Sequence, residues 1–402
     1  MTRSGGVAAD GGPAPLLFLL ADTGGGHRSA ARAVAQALDH AFPGRFAPVT
    51  CDPFTGPEAS RLLRFVSGGY GPVVRRAPWI WGAAYYATSS RSALRFLRST
   101  LLTAADRAVA EAVVRHRPEA ILSFHPLAGW AAVRASRTVD TGAERGRPPV
   151  VTVVTDLITA HPAWRYAEAD HVVVPTSAVL GRCQRDGTPA RCVEVGVPVT
   201  AEHWDGPQHR VRRLALRRSL GVAADRFLIV LTGGAEGTGG IGRRAIALLE
   251  RFDDVHVVAV CGRNHAVRER LARFDHAPGR LTVLGFVDNL ADWLGCADVV
   301  VCKAGPSTVA EATCLGAPLV LTSHLPGQEK GTTEYVVRAG AGRHAAGVRD
   351  LIEVVDQLRR NPFAVEAMRA ASARLGRPWA AAEIAALVGR LTRTGAGARR
   401  AG

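Results

Sequence analysis

Lysine is almost missing from this 402-residue chain: of 50 basic residues only Lys303 and Lys330 are lysines, and the rest are arginines. Against 35 acidic residues the net charge is +15. A GC-rich genome gives such a skew as readily as a polyanionic ligand does, and no nucleic-acid recognition module is readable, so no nucleic-acid partner is expected. No apolar run approaches the roughly 18–20 residues that cross a bilayer. The short run Leu16–Ala21 lacks a basic n-region and leads into glycines, so it does not read as a secretory signal. The seven cysteines (51, 183, 192, 261, 296, 302, 314) contain no C-x-x-C pair, and no histidine stands at zinc spacing. Their odd number, without a signal, fits a reducing compartment and buried thiols. With 47% hydrophobic and 21% charged residues, the chain is globular and is expected in the cytoplasm.

Acidic residues are missing from one long stretch. Between Ala59 and Ala105 there is no Asp or Glu, but there are arginines at 61, 64, 75, 76, 91, 95 and 98. Phe65, Tyr70, Trp79, Trp81, Tyr85, Tyr86 and Phe96 lie among them. Basic residues interleaved with aromatics suit an anionic membrane surface. A solvated arginine face with its aromatics in the core is the competing reading.

What is abundant is the short Val/Ile/Leu run followed by a helical pattern. Strands are expected at Leu16–Leu20, Ala120–Phe124, Val150–Thr155, His171–Val174 and Cys192–Val195. In the second half they fall at Phe227–Thr232, Val255–Cys261, Leu281–Leu284, Val299–Cys302 and Pro318–Thr322. Such runs separated by helices imply parallel sheets covered on both faces, with ligands at the carboxyl ends of the strands. The simplest architecture is α/β, two doubly wound domains over residues 14–205 and 219–376 facing a cleft. The polar stretch from Ala201 to Arg218 reads as linker, and residues 1–13 and 393–402 are expected to lack structure.

Six segments carry chemistry. Asp22-Thr23-Gly24-Gly25-Gly26-His27 follows the first strand, so the glycines allow close backbone approach and His27 projects from a helix start, where it can take a proton. Thr232-Gly233-Gly234 and Cys302-Lys303-Ala304-Gly305-Pro306-Ser307-Thr308 are phosphate-cradling turns, with Glu311 one helical turn further on. Gln328 and Glu329, after another strand, suit sugar hydroxyls. Turn chemistry accounts for any one of these; two phosphate-type loops and a polar pair in one half point to a nucleotide-linked ligand. The G-x-G-x-x-G match at 237–242 does not make a dinucleotide site, because the next strand ends in Gly262-Arg263-Asn264 with no ribose-binding acid. In the first half, Asp156 and His161 share a strand-end loop, and His125 ends another strand.

Taken together, Ala21–Ser29, Ser123–Leu127, Val154–Trp164, Thr232–Gly239, Val260–Asn264, Gly285–Val287, Lys303–Glu311 and Gly327–Gly331 resemble the monogalactosyldiacylglycerol synthase and diacylglycerol glucosyltransferase family. The likeness spans residues 15 to 345. It implies a GT-B fold: two Rossmann-like domains, the acceptor in the first and a UDP-sugar in the second, with a C-terminal helix (about 378–392) returning to the first. His27 then matches the base position, with Asp156 and His161 beside it. On the donor side, Phe286 and Val287 match the uracil position, Gly305, Ser307 and Thr308 the diphosphate, Glu311 the ribose, and Gln328 and Glu329 the hexose. Gly26, Gly233, Gly234 and Arg263 fall in the remaining donor segments. Arg75, Arg76, Trp79, Trp81, Tyr85 and His125 fall toward acceptor and membrane.

Displacing UDP from an anomeric carbon needs a base and a way to stabilise the departing diphosphate, which helix N-termini and loop N–H groups can supply. No D-x-D pair lies near those loops, so neither a metal nor a cofactor is expected, and single displacement gives inversion. The expected function is hexose transfer from a UDP-sugar to a membrane lipid hydroxyl, diacylglycerol first, at the inner face of the cell membrane. A polyprenyl-linked or soluble acceptor, a UDP-N-acetylglucosamine 2-epimerase and a nucleotide-sugar sensor are the rivals.

Overall fold

Val150–Val153 and Val255–Val260 bury every residue, which a strand can do only with both faces of its sheet covered. The computed structural model describes residues 12–21, 25–56, 61–100, 102–139, 146–165, 168–188, 191–200, 209–223, 225–276 and 278–397. Among them are twelve strands in two sheets. The first sheet holds β1 (Ala14–Leu19), β2 (Phe46–Cys51), β3 (Ala120–Ser123), β4 (Val150–Val153), β5 (His171–Val174) and β6 (Arg191–Glu194). The second holds β7 (Phe227–Thr232), β8 (Val255–Val260), β9 (Leu281–Leu284), β10 (Val299–Lys303), β11 (Leu319–Ser323) and β12 (Gly342–His344).

All ten strands expected from the sequence are present; β2 and β12 were not foreseen. Both are edge strands. β2 contains Pro48 and is half-exposed along its length, and β12 has only three residues, so neither shows a buried apolar run.

Strand order is β2-β1-β3-β4-β5-β6 in the first sheet and β12-β11-β10-β7-β8-β9 in the second, with every pairing parallel. Winding reverses between β1 and β3, and again between β7 and β10. Loops leaving a pair of strands at such a point diverge to opposite faces and open a crevice. The segments after β1 and β3 carry His27 and His125; those after β7 and β10 carry Gly233 and Gly305.

Each sheet is covered by apolar clusters on both faces. The final helix, Ala380–Gly397, lies on the first sheet, where Ile384 and Val388 pack with Leu16, Phe18, Leu38 and Phe124. Burying each of those two side chains stabilises the arrangement by about 1.5–3 kcal/mol. This helix continues through Gly397, beyond the point at which the composition suggests an unstructured tail. Residues 1–11 and 398–402 lie outside the described residues.

The expected linker is also shorter than its composition suggests. From His209 to Ser219 it is helical, and Arg213 and Arg217 both reach Asp298 beside β10. Its arginines therefore anchor it to the second domain. Residues 201–208 lie outside the described set.

Candidate active site

The first domain brings two imidazoles together. The helix Gly26–Ala41 starts just after β1, and its second residue, His27, is 9% exposed; Asp22, Thr23 and Gly24 lie outside the described residues. His27 Nδ1 lies 3.1 Å from Thr155 Oγ1, at the end of β4. The His125 ring stands edge-on to it, with centroids 5.1 Å apart. Burial lowers the His27 pKa to about 4, the Phe124 backbone pulling slightly the other way, so the ring is neutral at pH 7. Burial, with His27 adjacent, also holds His125 well below the usual histidine range.

Asp156 is 3% exposed and accepts three hydrogen bonds. Trp164 Nε1 donates to its Oδ2 at 2.8 Å, and the His161 N–H reaches the same oxygen at 3.5 Å. Its Oδ1 accepts from Gln328 Nε2, in the second domain, at 3.0 Å. Burial raises its pKa against the lowering effect of these donors. His161 does not reach the cleft. Its Nδ1 accepts from the Ala163 N–H at 3.1 Å, and its Nε2 lies 3.3 Å from the Tyr85 carbonyl and 3.3 Å from Thr88 Oγ1. It supports the wall behind Asp156.

The second domain faces these groups with its glycine loops. Gly25 and Gly26 abut Ala235 and Ser307; a β-carbon at Gly26 would lie 2.6 Å from Ser307 Oγ. Pro306 opens the helix Pro306–Cys314 at a position where its missing N–H costs nothing, and Gly305 caps it with extended backbone. The Lys303 ammonium pairs with the buried Glu329 carboxylate, whose Oε2 also accepts from the Leu325 N–H at 2.7 Å. Ser29, on the first-domain helix, donates to Glu311 Oε1 at 3.2 Å. Burial raises Glu311 to about 7, with the Ser29 bond and the Arg32 charge opposing that shift.

A cavity of about 240 Å³ lies between these surfaces. Of the residues singled out from the sequence, Gly26, His27, Asp156, Gly233, Gly234, Phe286, Val287, Gly305, Ser307, Thr308, Glu311, Gln328 and Glu329 line it. Arg263 stands outside, its guanidinium 5.6 Å from the Phe286 ring centre and paired with Glu236 at 3.4 Å. Lys303, Thr155, Ser29 and Tyr70, none of them among the expected site residues, also line the cavity. Lys303 was legible, since it is one of two lysines and sits inside a phosphate-type motif. Among the described residues no group of three or more His, Cys, Asp or Glu is placed to hold a metal ion.

The acid-free stretch forms short helices, Arg61–Gly68, Tyr70–Arg76, Pro78–Ala87 and Arg91–Thr100. Its aromatics divide between two surroundings. Trp79 and Phe96 are each 70% exposed, and Ile80 and Tyr86 are also exposed. Tyr85 is not on that surface: at 8% exposure it stacks edge-on against His161 and faces the second domain. Trp81 is half-buried against Tyr70, ring centres 5.0 Å apart. Arg76 is exposed, and the Arg75 side chain lies outside what is described. No described helix is long and apolar enough to cross a membrane.

Two Rossmann-like sheets with a polar cleft at their facing carboxyl ends define the GT-B class. Solved structures of this plan superpose over nearly the whole chain. MurG of Acinetobacter baumannii has a TM-score of 0.60 at 17% identity, covering 94% of this chain and all of that one. The UDP-GlcNAc 2-epimerase of Neisseria meningitidis, solved with UDP-GlcNAc, has a TM-score of 0.60 at 13% identity over the same shares. At these identities the likeness carries the fold alone.

Sequence relatives are more specific. Residues 27–199 match the family model for monogalactosyldiacylglycerol (MGDG) synthase, and 228–384 that for the glycosyltransferase family 28 C-terminal domain. The "Probable monogalactosyldiacylglycerol synthase, chloroplastic" of Glycine max is 30% identical over 94% of this chain and 71% of its own length. Monogalactosyldiacylglycerol synthase 1 of Arabidopsis thaliana is 30% identical over 87% of this chain, which spans 65% of that relative. The chain belongs to the monogalactosyldiacylglycerol synthase family.

Proposed function

We propose that this protein is an inverting, metal-independent glycosyltransferase that moves a hexose from a UDP-sugar to the hydroxyl of diacylglycerol. The observation that carries this reading is the placement of neutral His27 across a 240 Å³ cleft from the loops at Gly233 and Gly305. In the tautomer that carries its proton on Nδ1, 3.1 Å from Thr155 Oγ1, His27 presents an Nε2 lone pair to the acceptor hydroxyl. The acceptor oxygen forms a bond to the anomeric carbon while its proton passes to His27. The bond from that carbon to the β-phosphate oxygen breaks, and UDP leaves with the electron pair. One displacement inverts the centre, so an α-linked donor gives a β-linked glycolipid.

Charge developing on UDP is met by the Lys303 ammonium, the N-terminus of the helix Pro306–Cys314 and loop N–H groups, positioned before the reaction begins. Glu311 takes the ribose, and Gln328 and Glu329 take the hexose. The Gln328 Oε1 atom is buried without a hydrogen-bond partner, an open acceptor for a sugar hydroxyl. The names of the relatives support diacylglycerol as acceptor. Exposed Trp79, Ile80, Tyr86 and Phe96 in an arginine-rich setting support peripheral attachment to anionic lipid. The test is incubation with UDP-hexoses and diacylglycerol in anionic liposomes, reading lipid mass with and without EDTA. A one-hexose gain unaffected by EDTA supports the proposal; loss of activity with EDTA removes its metal-independent part.

A further inference from the structure

The helix Pro78–Ala87 has two unlike faces. One exposes Trp79, Ile80 and Tyr86. The other buries Gly82 and Tyr85 against the second-domain loop that runs from Leu325 to Glu329. That contact depends on glycine from both sides. A β-carbon on Gly82 would lie 2.6 Å from Pro326 Cβ, and one on Gly327, whose φ is +83°, would enter the Tyr85 ring. The Tyr85 hydroxyl donates to the Thr159 carbonyl at 2.5 Å, the Thr159 hydroxyl donates to the Lys330 carbonyl, and Gly331 packs on Ile158. The turn carrying Gln328 and Glu329 is therefore held on its flanks by first-domain groups, with Tyr85 against its tip.

We propose that Tyr85 is a positioning residue for the donor hexose, and that the helix Pro78–Ala87 links membrane contact at Trp79, Ile80 and Tyr86 to closure of the Leu325–Glu329 loop over that sugar. This rests on the assignment of Gln328 and Glu329 to the hexose. Tyr85 touches neither cavity nor substrate; it acts by fixing the backbone from which those two side chains reach in. A vesicle that orders the exposed face of the helix orders its buried face too, and a preordered loop binds hexose with a smaller ordering cost. The uridine and diphosphate contacts, on other loops, are independent of it.

The test is titration of UDP-galactose, UDP-glucose and UDP into wild type, Tyr85→Ala and Tyr85→Phe. Each is measured alone and with phosphatidylglycerol/phosphatidylcholine vesicles lacking diacylglycerol, vesicle binding being followed separately by sedimentation. In wild type the vesicles should tighten UDP-hexose binding several-fold and leave UDP binding within twofold. Tyr85→Ala should bind UDP and vesicles normally but weaken UDP-hexose about tenfold and lose the vesicle effect. Tyr85→Phe, which keeps the ring on Gly327, should retain most of it. Equal weakening of UDP and UDP-hexose in Tyr85→Ala would mean a general structural role and overturn the inference. So would a vesicle effect that survives Tyr85→Ala, or wild type that binds both ligands and vesicles without coupling; the transferase reading would stand in each case. Failure of wild type to bind any UDP-hexose would sink both.

Discussion

Gln328 Nε2 donates to Asp156 Oδ1 at 3.0 Å, joining loops 172 residues apart in sequence across the interdomain cleft. The bond falls on the carboxylate oxygen that Trp164 and His161 leave free, since both of those donate to Oδ2. Asp156 thus ties the two domains together at the cavity wall, and in the proposed mechanism proton abstraction falls to His27.

Gln328→Ala should raise the KM for UDP-hexose about tenfold, equivalent to about 1.4 kcal/mol, since it removes the proposed hexose contact and leaves a buried carboxylate short of a donor. UDP affinity, measured by titration, should change less than twofold.

His27→Ala should lower kcat by about 10²–10⁴, the usual range for a lost general base, with UDP binding unchanged. Normal turnover in that variant would remove the base assignment.

Stability should depend on pH through the buried histidines. His27 and His161 titrate at about 4 in the fold and at about 6.5 when unfolded. Between those values the unfolded chain binds protons that the fold excludes. Their contribution is complete above pH 6.5 and is lost as pH falls toward 4, at about 1.4 kcal/mol per pH unit for each. Denaturant titrations at pH 7.5, 6 and 5 should show that slope, and His27→Gln should reduce it by one proton.

Most of the expected strands were legible because they bury an apolar run; the edge strands β6 and β9 have no fully buried residue. The loops after β1, β7 and β10 were legible because glycines follow those strands closely. What escaped was cross-chain or two-sided. The composition of His209–Ser219 gives no sign that Arg213 and Arg217 meet Asp298. Tyr85 sits among aromatics and arginines that suit a membrane, but lies on the opposite face of its helix from Trp79 and Ile80. The Asp156–Gln328 bond exists only where the two domains meet.

Glu311 should make UDP binding pH-dependent. Titrating near 7, it is a full carboxylate acceptor only above that pH, and in the proposed site that acceptor serves the ribose hydroxyls. UDP should bind about threefold to tenfold tighter at pH 8 than at pH 6, beyond any change seen in Glu311→Gln, where this component should vanish.

Asp298→Ala should cost about 3–5 kcal/mol, because it strands the buried Arg217 and frees the Leu228 N–H that now donates to Asp298 at 2.7 Å. Urea unfolding monitored by circular dichroism reads this directly.

The most direct measurement is lipid mass spectrometry with proton NMR of the anomeric centre, after incubating the protein with UDP-galactose or UDP-glucose and diacylglycerol in anionic liposomes. The account predicts a lipid heavier by one hexose, β-linked, formed with stoichiometric UDP release. Release of UDP or free sugar with no change in the lipid would contradict it.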